Sequence, residues 1–239
     1  MENIIHGLAG DNIMRILVFA AHPDDDILGC GGMIAKRVEG GNTVRVEFIA
    51  EGTSCRFNDP NDPLVENQVN ERILSGKNSL KSLGVQNYNF NNLPCGRLDQ
   101  VPQIEINKIM EAAIFDFEPD VIFTHSDKDT NTDHRIVNSC TLVATRPTAK
   151  TSIKKVYSYE ILSSTEWRFN DAFRPNYFLS LEQSHLSAKI KAFSFYSTEI
   201  HEYPHPRSFL GIEALARYRG IQCGASLAEA YSLIRDFET

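Results

Sequence analysis

Two short segments of the sequence combine histidine with carboxylates in a pattern that suits a divalent cation. His22 is followed by three aspartates at positions 24–26, and His134 ends the segment NTDH at 131–134. Adjacent carboxylates raise one another's pKa unless a cation neutralises them. Zinc favours histidine nitrogen with carboxylate oxygen, and a catalytic zinc has three protein ligands and one open position. His22, one aspartate of the triplet and His134 therefore form a candidate zinc-binding set.

Each segment alone also has a structural explanation. A single histidine after a strand is usually a hydrogen-bonded polar residue, and an aspartate run often forms a solvated turn or a helix N-cap. Two acid-rich, histidine-containing loops at the same end of one sheet are hard to explain in that way. Their combination favours the metal site.

Strand and helix patterns alternate along the chain. The apolar segment RILVFAA at 15–21 predicts a strand, and the Gly-rich LGCGG leads into a helix at 33–38 that stops at Gly40 and Gly41. Further strands are predicted at 43–50, 88–90, 120–125 and 155–161, and further helices at 64–83, 103–115, from His134 with Asp133 as cap, and at 181–196, 208–218 and 227–234. Residues 163–174 show no period and are predicted to be irregular.

This alternation predicts βαβ units, which require a mostly parallel sheet with right-handed crossovers. We expect an α/β fold, a three-layer Rossmann-like sandwich that forms one domain over residues 1–239. Ligands of such sheets bind beyond the carboxyl ends of the strands, near the point where strand order reverses. The strands at 15–21 and 120–125 both end in candidate metal ligands, so the sheet is expected to bring the two segments together.

Composition excludes several classes of protein. Of the 239 residues, 42% are apolar and 23% are charged, as in an ordinary globular protein, and the net charge of −7 disfavours nucleic-acid binding. The apolar run at 16–21 is too short for a membrane span or a signal peptide. Five widely spaced cysteines, an odd number without C-x-x-C spacing, favour the cytoplasm. The segment LGCGG lacks the spacing of a dinucleotide-binding loop.

The two segments and their order resemble one known family. AHPDD after the first strand, LGCGG at the first helix and D-x-N-x-DH after a later strand resemble the PIG-L (LmbE-like) zinc deacetylases, over residues 15–142. The resemblance implies that His22, Asp25 and His134 hold Zn²⁺. It also implies that Asp24 is the general base for attack of zinc-bound water on an amide carbonyl.

The resemblance assigns supporting roles to further residues and shows two departures. Asp129 and Asp133 match positions that contact the metal ligands rather than the metal, and Asp26 replaces a usual glutamate in such a position. Asn131 stands where many members have the histidine that donates to the oxyanion. An asparagine amide still donates a hydrogen bond but cannot carry a proton, and His205 is a second candidate donor.

Residues 143–239 are expected to form the substrate-specific part of the same domain. The resemblance places Arg72 at a substrate-contacting position, although a solvated helical arginine is an equal alternative. Arg207 and His205 lie in the Pro-bracketed turn PHPRS, and Arg207 with Arg56 is a candidate grip for a carboxylate or phosphate. A purely structural turn is the alternative there. Cys95 replaces an aspartate of the family's sugar-facing loop.

The predicted function is removal of an N-acetyl (N-acyl) group from an amino sugar or its conjugate, including nucleotide- or lipid-linked ones. A metal-dependent amidase acting on a non-sugar amide and a noncatalytic sugar-binding descendant are the alternatives. All three ligands and the base are present, which disfavours the noncatalytic alternative. The expected partner is a small N-acetylated sugar or sugar conjugate, and the resemblance is compatible with a homo-oligomer.

Overall fold

The computed structural model describes residues 13–60, 62–147 and 152–237, which form seven strands and six α-helices. The strands are β1 (Arg15–Ala20), β2 (Thr43–Ala50), β3 (Asn87–Leu93), β4 (Val121–His125), β5 (Lys155–Tyr159), β6 (Tyr177–Ser180) and β7 (Ala228–Asp236). The helices are α1 (Asp25–Glu39), α2 (Pro63–Ser82), α3 (Gln103–Phe117), α4 (Thr132–Ala144), α5 (Gln183–Phe193) and α6 (Phe209–Cys223).

All seven strands belong to one sheet in the order β3-β2-β1-β4-β5-β7-β6. Strands β1 to β5 run parallel, whereas β7 is antiparallel to both β5 and β6. The chain moves outward from β1 to β3 and then returns to add β4 beside β1. Strand order therefore reverses between β1 and β4, where open α/β sheets bind their ligands.

The two faces of β1 explain the three layers. Ile16, Val18 and Ala20 pack with α1, α2, α5 and α6 on one face, whereas Leu17 and Phe19 pack with α3 and α4 on the other. Successive residues of a strand point to opposite faces, so a strand buried on both sides must be apolar throughout. The predicted α/β three-layer sandwich with a mostly parallel sheet is confirmed. In the described residues no helix has both the length and the apolar character needed to cross a membrane.

The predicted start of α1 is wrong. The helix begins at Asp25, so that LGCGG lies inside it rather than before it. A Cβ atom on Gly29 would overlap the ring of Tyr159, and one on Gly32 would overlap Leu181. These glycines allow α1 to lie close to the sheet. They do not form a loop, since glycine is tolerated inside a helix where close packing requires it.

The predicted helix at 227–234 is also wrong, since this segment forms β7 and pairs with both neighbouring strands. The segment AEAYSLIR contains good helix formers. It forms a strand because it pairs with the neighbouring strands β5 and β6. Strand β6 was not predicted. The segment 163–174 is irregular as expected, apart from a short 3-10 helix at Thr165–Trp167.

Substitution of Gly29 by alanine tests the close approach of α1 to the sheet. The Tyr159 hydroxyl donates a 2.7 Å hydrogen bond to the carbonyl of Phe19, which restrains the ring that the new methyl group would meet. We expect Gly29→Ala to lower the free energy of unfolding by about 1–3 kcal/mol, measured by denaturant unfolding.

Gly40→Ala is the matched control, because a Cβ there would meet no atom closer than 3.4 Å and the φ angle is −77°. Its free energy of unfolding should stay within about 0.5 kcal/mol of the parent. Equal stabilities of the two variants would contradict the packing argument.

Candidate metal centre

Three side chains meet at the carboxyl ends of β1 and β4. His22 follows β1, Asp25 is the first residue of α1, and His134 lies in the first turn of α4. Asp25 Oδ2 is 3.2 Å from His22 Nδ1 and 3.3 Å from His134 Nε2. The three ligand atoms lie within 4.8 Å of one another, and all three residues are buried. The structure thus brings together the three residues that the sequence pointed to.

This set fits a divalent cation. Asp25 Oδ1 and His134 Nε2 are buried and have no hydrogen-bond partner among the described residues. Buried polar atoms without partners are costly, and a cation between them would satisfy both. Two imidazole nitrogens and one carboxylate are also a donor set that zinc favours, with a fourth position left for a small molecule.

A carboxylate lies beside the second ring nitrogen of each histidine. Asp133 Oδ2 lies 2.9 Å from His22 Nε2, and Asp129 Oδ2 lies 3.0 Å from His134 Nδ1. Each imidazole therefore presents its other nitrogen to Asp25. Such contacts fix the orientation of metal-binding histidines and increase their basicity. The supporting roles of Asp129 and Asp133 stay predictions.

Backbone donors immobilise Asp133. Its carboxylate accepts hydrogen bonds from the amides of Gly96, at 2.6 Å, and Leu98, at 3.2 Å. Asp133 was expected to cap α4, but the N-cap is Asn131, whose Oδ1 accepts from the Asp133 amide at 2.9 Å. The Asp133 carboxylate instead contacts His22 and accepts hydrogen bonds from the loop at 96–98.

Hydroxyl groups from a later loop immobilise Asp129. Ser164 Oγ and Thr165 Oγ1 donate to Asp129 Oδ2 at 3.0 and 2.6 Å. The amide of Asn131 donates to the other oxygen at 2.8 Å. The irregular segment after β5 therefore supports the position of His134.

The carboxylates favour protonated imidazoles as long as no cation is bound. Burial opposes the charge on both histidines, but Asp133 and Asp25 raise the pKa of His22 to about 10. Asp25 and Asp129 raise the pKa of His134 to about 9. Metal ligands must be deprotonated, so binding of a cation would release protons from these two rings.

The three consecutive aspartates do not carry three charges. Asp26 is fully buried, and burial followed by repulsion from Asp24 raises its pKa to about 8. Asp26 is therefore mainly uncharged at neutral pH, which relieves part of the repulsion that the sequence suggested. No hydrogen bond joins Asp26 to His22, Asp25 or His134, so its supporting role stays a prediction.

Asp24 occupies a strained position beside the ligand set. Its φ angle is 124°, a region that residues with a side chain rarely adopt. Its Oδ2 accepts from Arg72 at 2.9 Å and from Arg207 at 3.0 Å. Burial raises the pKa of Asp24, and the two guanidiniums counteract part of that increase. Strain of this kind is concentrated at functional sites.

The three predicted arginines meet at one carboxylate that the sequence did not reveal. Glu199 forms ion pairs with Arg56 at 2.7 Å, with Arg72 at 2.5 Å and with Arg207 at 2.9 Å. Arg72 is buried rather than solvated, which removes the alternative of an exposed helical arginine. The arginines hold the pKa of Glu199 near 2 despite its burial. Glu199 lies in the irregular segment after α5, without any pattern that singles it out.

The two candidate oxyanion donors have different surroundings. Asn131 is half-buried at the start of α4, and its amide nitrogen makes no hydrogen bond to the described residues. His205 is half-buried, its Nδ1 accepts from the amide of Arg207 at 3.1 Å, and its ring lies 4.0 Å from that of His201. None of the described contacts joins His205 to the proposed metal ligands. Both assignments stay predictions.

Two cysteines lie next to the centre. The Sγ atoms of Cys55 and Cys95 are 2.9 Å apart, and Cys95 forms a second group of metal-type ligands with His22 and Asp133. Spacing in the sequence gave no sign of this pair, because 40 residues separate them. Cys95 thus lies at the edge of the site.

Fold and site together define a single-domain α/β protein with a histidine and carboxylate ligand set where strand order reverses. Residues 17–145 match the model of the PIG-L family, described as GlcNAc-PI de-N-acetylase. That match spans more than half of the 239 residues, and the chain belongs to the PIG-L family of deacetylases.

Individual relatives extend the comparison. The uncharacterized deacetylase YaiS of Escherichia coli strain K12 is 27% identical over 182 residues, which cover 74% of this chain and 87% of YaiS. N,N'-diacetylchitobiose deacetylase from Pyrococcus horikoshii shares the fold with a TM-score of 0.75 and 17% identity, over 93% of this chain and 84% of that one.

The fold also occurs in an enzyme with different chemistry. GalB, the 4-carboxy-2-hydroxymuconate hydratase of Pseudomonas putida KT2440, matches with a TM-score of 0.70 and 19% identity, over 95% of this chain and 98% of that one. The fold alone therefore does not define the reaction, which must be argued from the site.

Asp129→Asn tests the support of His134. The variant keeps the shape of the side chain but removes the charge beside His134 Nδ1, and we expect metal affinity to fall about 10- to 100-fold. Competition with a chromophoric zinc chelator measures this directly. Asp127→Asn, the same change on an exposed neighbour, is the control and should bind zinc like the parent. Equal affinities of the two variants would remove Asp129 from the centre.

Proposed function

We propose that this chain is a zinc-dependent N-deacetylase that acts on an N-acetylated amino sugar or a conjugate of one. The observation that carries the proposal is the position of Asp24, a strained and buried carboxylate directly beside the ligand set His22, Asp25 and His134. Membership of a deacetylase family supports the amide bond as the target. The odd number of cysteines supports the cytoplasm as its location.

His22, Asp25 and His134 are the residues that would hold zinc. When bound there, zinc supplies Lewis-acid polarisation of a carbonyl and a water molecule of lowered pKa. The supporting carboxylates of Asp129 and Asp133 keep both imidazoles aimed at Asp25. The ligand geometry therefore precedes metal binding, which reduces the reorganisation that binding would otherwise need.

Asp24 is the proposed proton carrier. It accepts a proton from the attacking water and returns it to the amide nitrogen as the C–N bond breaks, which yields acetate and a free amine. Arg72 and Arg207 both hold its Oδ2, and none of the described hydrogen bonds uses Oδ1. The two arginines would orient the carboxylate and leave Oδ1 to accept the proton.

Asn131 is the proposed donor to the tetrahedral oxyanion. Its side-chain oxygen, Oδ1, caps α4 by accepting a hydrogen bond from the Asp133 amide, which fixes the orientation of the side chain. Its amide nitrogen then remains for a ligand, and one well-placed donor of this kind contributes about 10²- to 10³-fold to kcat. His205 is the second candidate, and its pKa is lowered by burial, His201 and Arg207.

Acetate release from a panel of N-acetylated compounds tests the function. The panel contains free N-acetylglucosamine, N,N'-diacetylchitobiose, nucleotide-linked and lipid-linked N-acetyl sugars, and N-acetyl amino acids as non-sugar amides. We expect activity on a sugar-containing member, loss of activity after chelation, and recovery with one equivalent of zinc. Activity on amino acid amides alone would indicate a different amidase. Zinc-loaded protein that releases acetate from no compound would contradict the proposal.

Asp24→Asn tests the proton carrier. The amide cannot accept the proton, and we expect kcat to fall about 10²- to 10⁴-fold, while zinc content stays at the parental level. Steady-state kinetics and metal analysis on the same sample measure both. Asp116→Asn, on an exposed carboxylate that pairs with Arg45, serves as control. A variant with parental kcat would exclude Asp24 as the base.

A further inference from the structure

Two thiols from distant segments face each other beside the metal centre. Cys55 lies in a short 3-10 helix, Ser54–Arg56, and is exposed, whereas Cys95 follows β3 and is buried. Cys95 Sγ donates a hydrogen bond to Cys55 Sγ over 2.9 Å. The sulfurs of a disulfide are about 2.05 Å apart, so these thiols need only a small movement to join.

One buried carboxylate holds the backbone of both segments. Glu51 Oε2 accepts hydrogen bonds from the amides of Thr53, at 2.5 Å, and Ser54, at 3.0 Å. Its Oε1 accepts from the amide of Cys95 at 2.8 Å and from the hydroxyl of Ser54. Charge-assisted bonds of this kind are the strong ones. The fold therefore places the two cysteines together without using either thiol.

Gly96 connects the thiol pair to the supports of the proposed metal ligands. Its φ angle is 69°, which favours glycine, and a Cβ atom there would lie 2.9 Å from the Cβ of Cys55. Its amide donates to Asp133 Oδ2, the carboxylate oxygen that also contacts His22. The turn that brings Cys95 to Cys55 is therefore also the turn that immobilises Asp133.

The two thiols differ in exposure and in charge. The hydrogen bond from Cys95 lowers the pKa of Cys55, although partial burial opposes the charge, and the same bond raises the pKa of Cys95. The thiolate is the reactive form of cysteine. Oxidation-sensitive cysteines are accessible thiolates with a second cysteine close enough to react next. Exposed Cys55 fits the first role and buried Cys95 the second.

We propose that Cys55 and Cys95 form an oxidation site that reacts with hydrogen peroxide and closes to a reversible disulfide. The Cys55 sulfur attacks one peroxide oxygen, the O–O bond breaks, and hydroxide leaves a sulfenic acid on Cys55. The Cys95 sulfur then attacks the Cys55 sulfur, and the S–O bond breaks as the hydroxyl group leaves with the Cys95 proton as water. Two thiols are oxidised and one peroxide is reduced to two waters. The disulfide protects Cys55 from irreversible oxidation to sulfinic acid.

Peroxide treatment of the zinc-loaded, full-length protein tests the proposal. Free thiols are alkylated at successive times, and peptide mass spectrometry identifies the state of each cysteine. We expect one linked peptide pair, Cys55 with Cys95, and recovery of both thiols with dithiothreitol. Cys223 is the other exposed cysteine, and we expect Cys55 to react about 10-fold faster than Cys223.

Cys95→Ser separates the two roles. The hydroxyl group has nearly the size of the thiol but cannot form the disulfide, so we expect Cys55 to accumulate as sulfinic acid that dithiothreitol does not reduce. Cys223→Ser is the matched control and should form the disulfide like the parent. The linked peptide is detected in the parent itself, so a variant that folds poorly does not remove the test.

Peroxide-treated parent protein without the Cys55–Cys95 peptide would overturn the proposal. Equal accumulation of sulfinic acid on Cys55 in the parent and in Cys95→Ser would do the same, because Cys95 would then give no protection. The readout is the chemical state of the thiols and not acetate release, so its outcome is independent of the proposed deacetylase function.

Discussion

The carboxylate of Asp25 between two imidazoles is the contact on which the rest of the site depends. It requires β1 and β4 to be neighbours, because His22 follows one strand and His134 follows the other. Asp25 must also open α1, which places its carboxylate at the helix N-terminus, where negative charge is favoured. The close approach of α1 to Tyr159, allowed by Gly29, sets the depth of that helix. Fold and ligand geometry are thus one constraint rather than two.

Buried charge is distributed in two connected groups. Around the proposed metal, the carboxylates of Asp25, Asp129 and Asp133 lie against the imidazoles of His22 and His134, and this negative charge favours a cation. Around Glu199, the guanidiniums of Arg56, Arg72 and Arg207 pair with one carboxylate. Asp24 lies between the two groups.

The sequence predicted the parts of the molecule that follow from local pattern. Continuous apolar strands with polar ends predicted the sheet. Because ligands of such sheets bind at the carboxyl ends of the strands, the sheet in turn predicted that His22 and His134 lie together. Features that arise only from tertiary contacts were missed. Strand β7 has a helix-like composition and becomes a strand through pairing with β5 and β6. Glu199 carries no motif, and its importance comes from three arginines that are distant in sequence. Asp133 was misjudged as a cap because its partners at 96–98 are also distant.

The hydroxyls of Ser164 and Thr165 lie outside the residues 17–145 that match the family, yet they hold the carboxylate behind His134. The part of the chain that matches the family and the part that follows it are therefore not independent modules. A chimaera of two relatives joined at this boundary would take its histidine from one parent and the groups that orient it from the other. A working chimaera would require the loop after β5 to be inherited together with α4, because the carboxylate behind His134 would otherwise lose its hydroxyl donors.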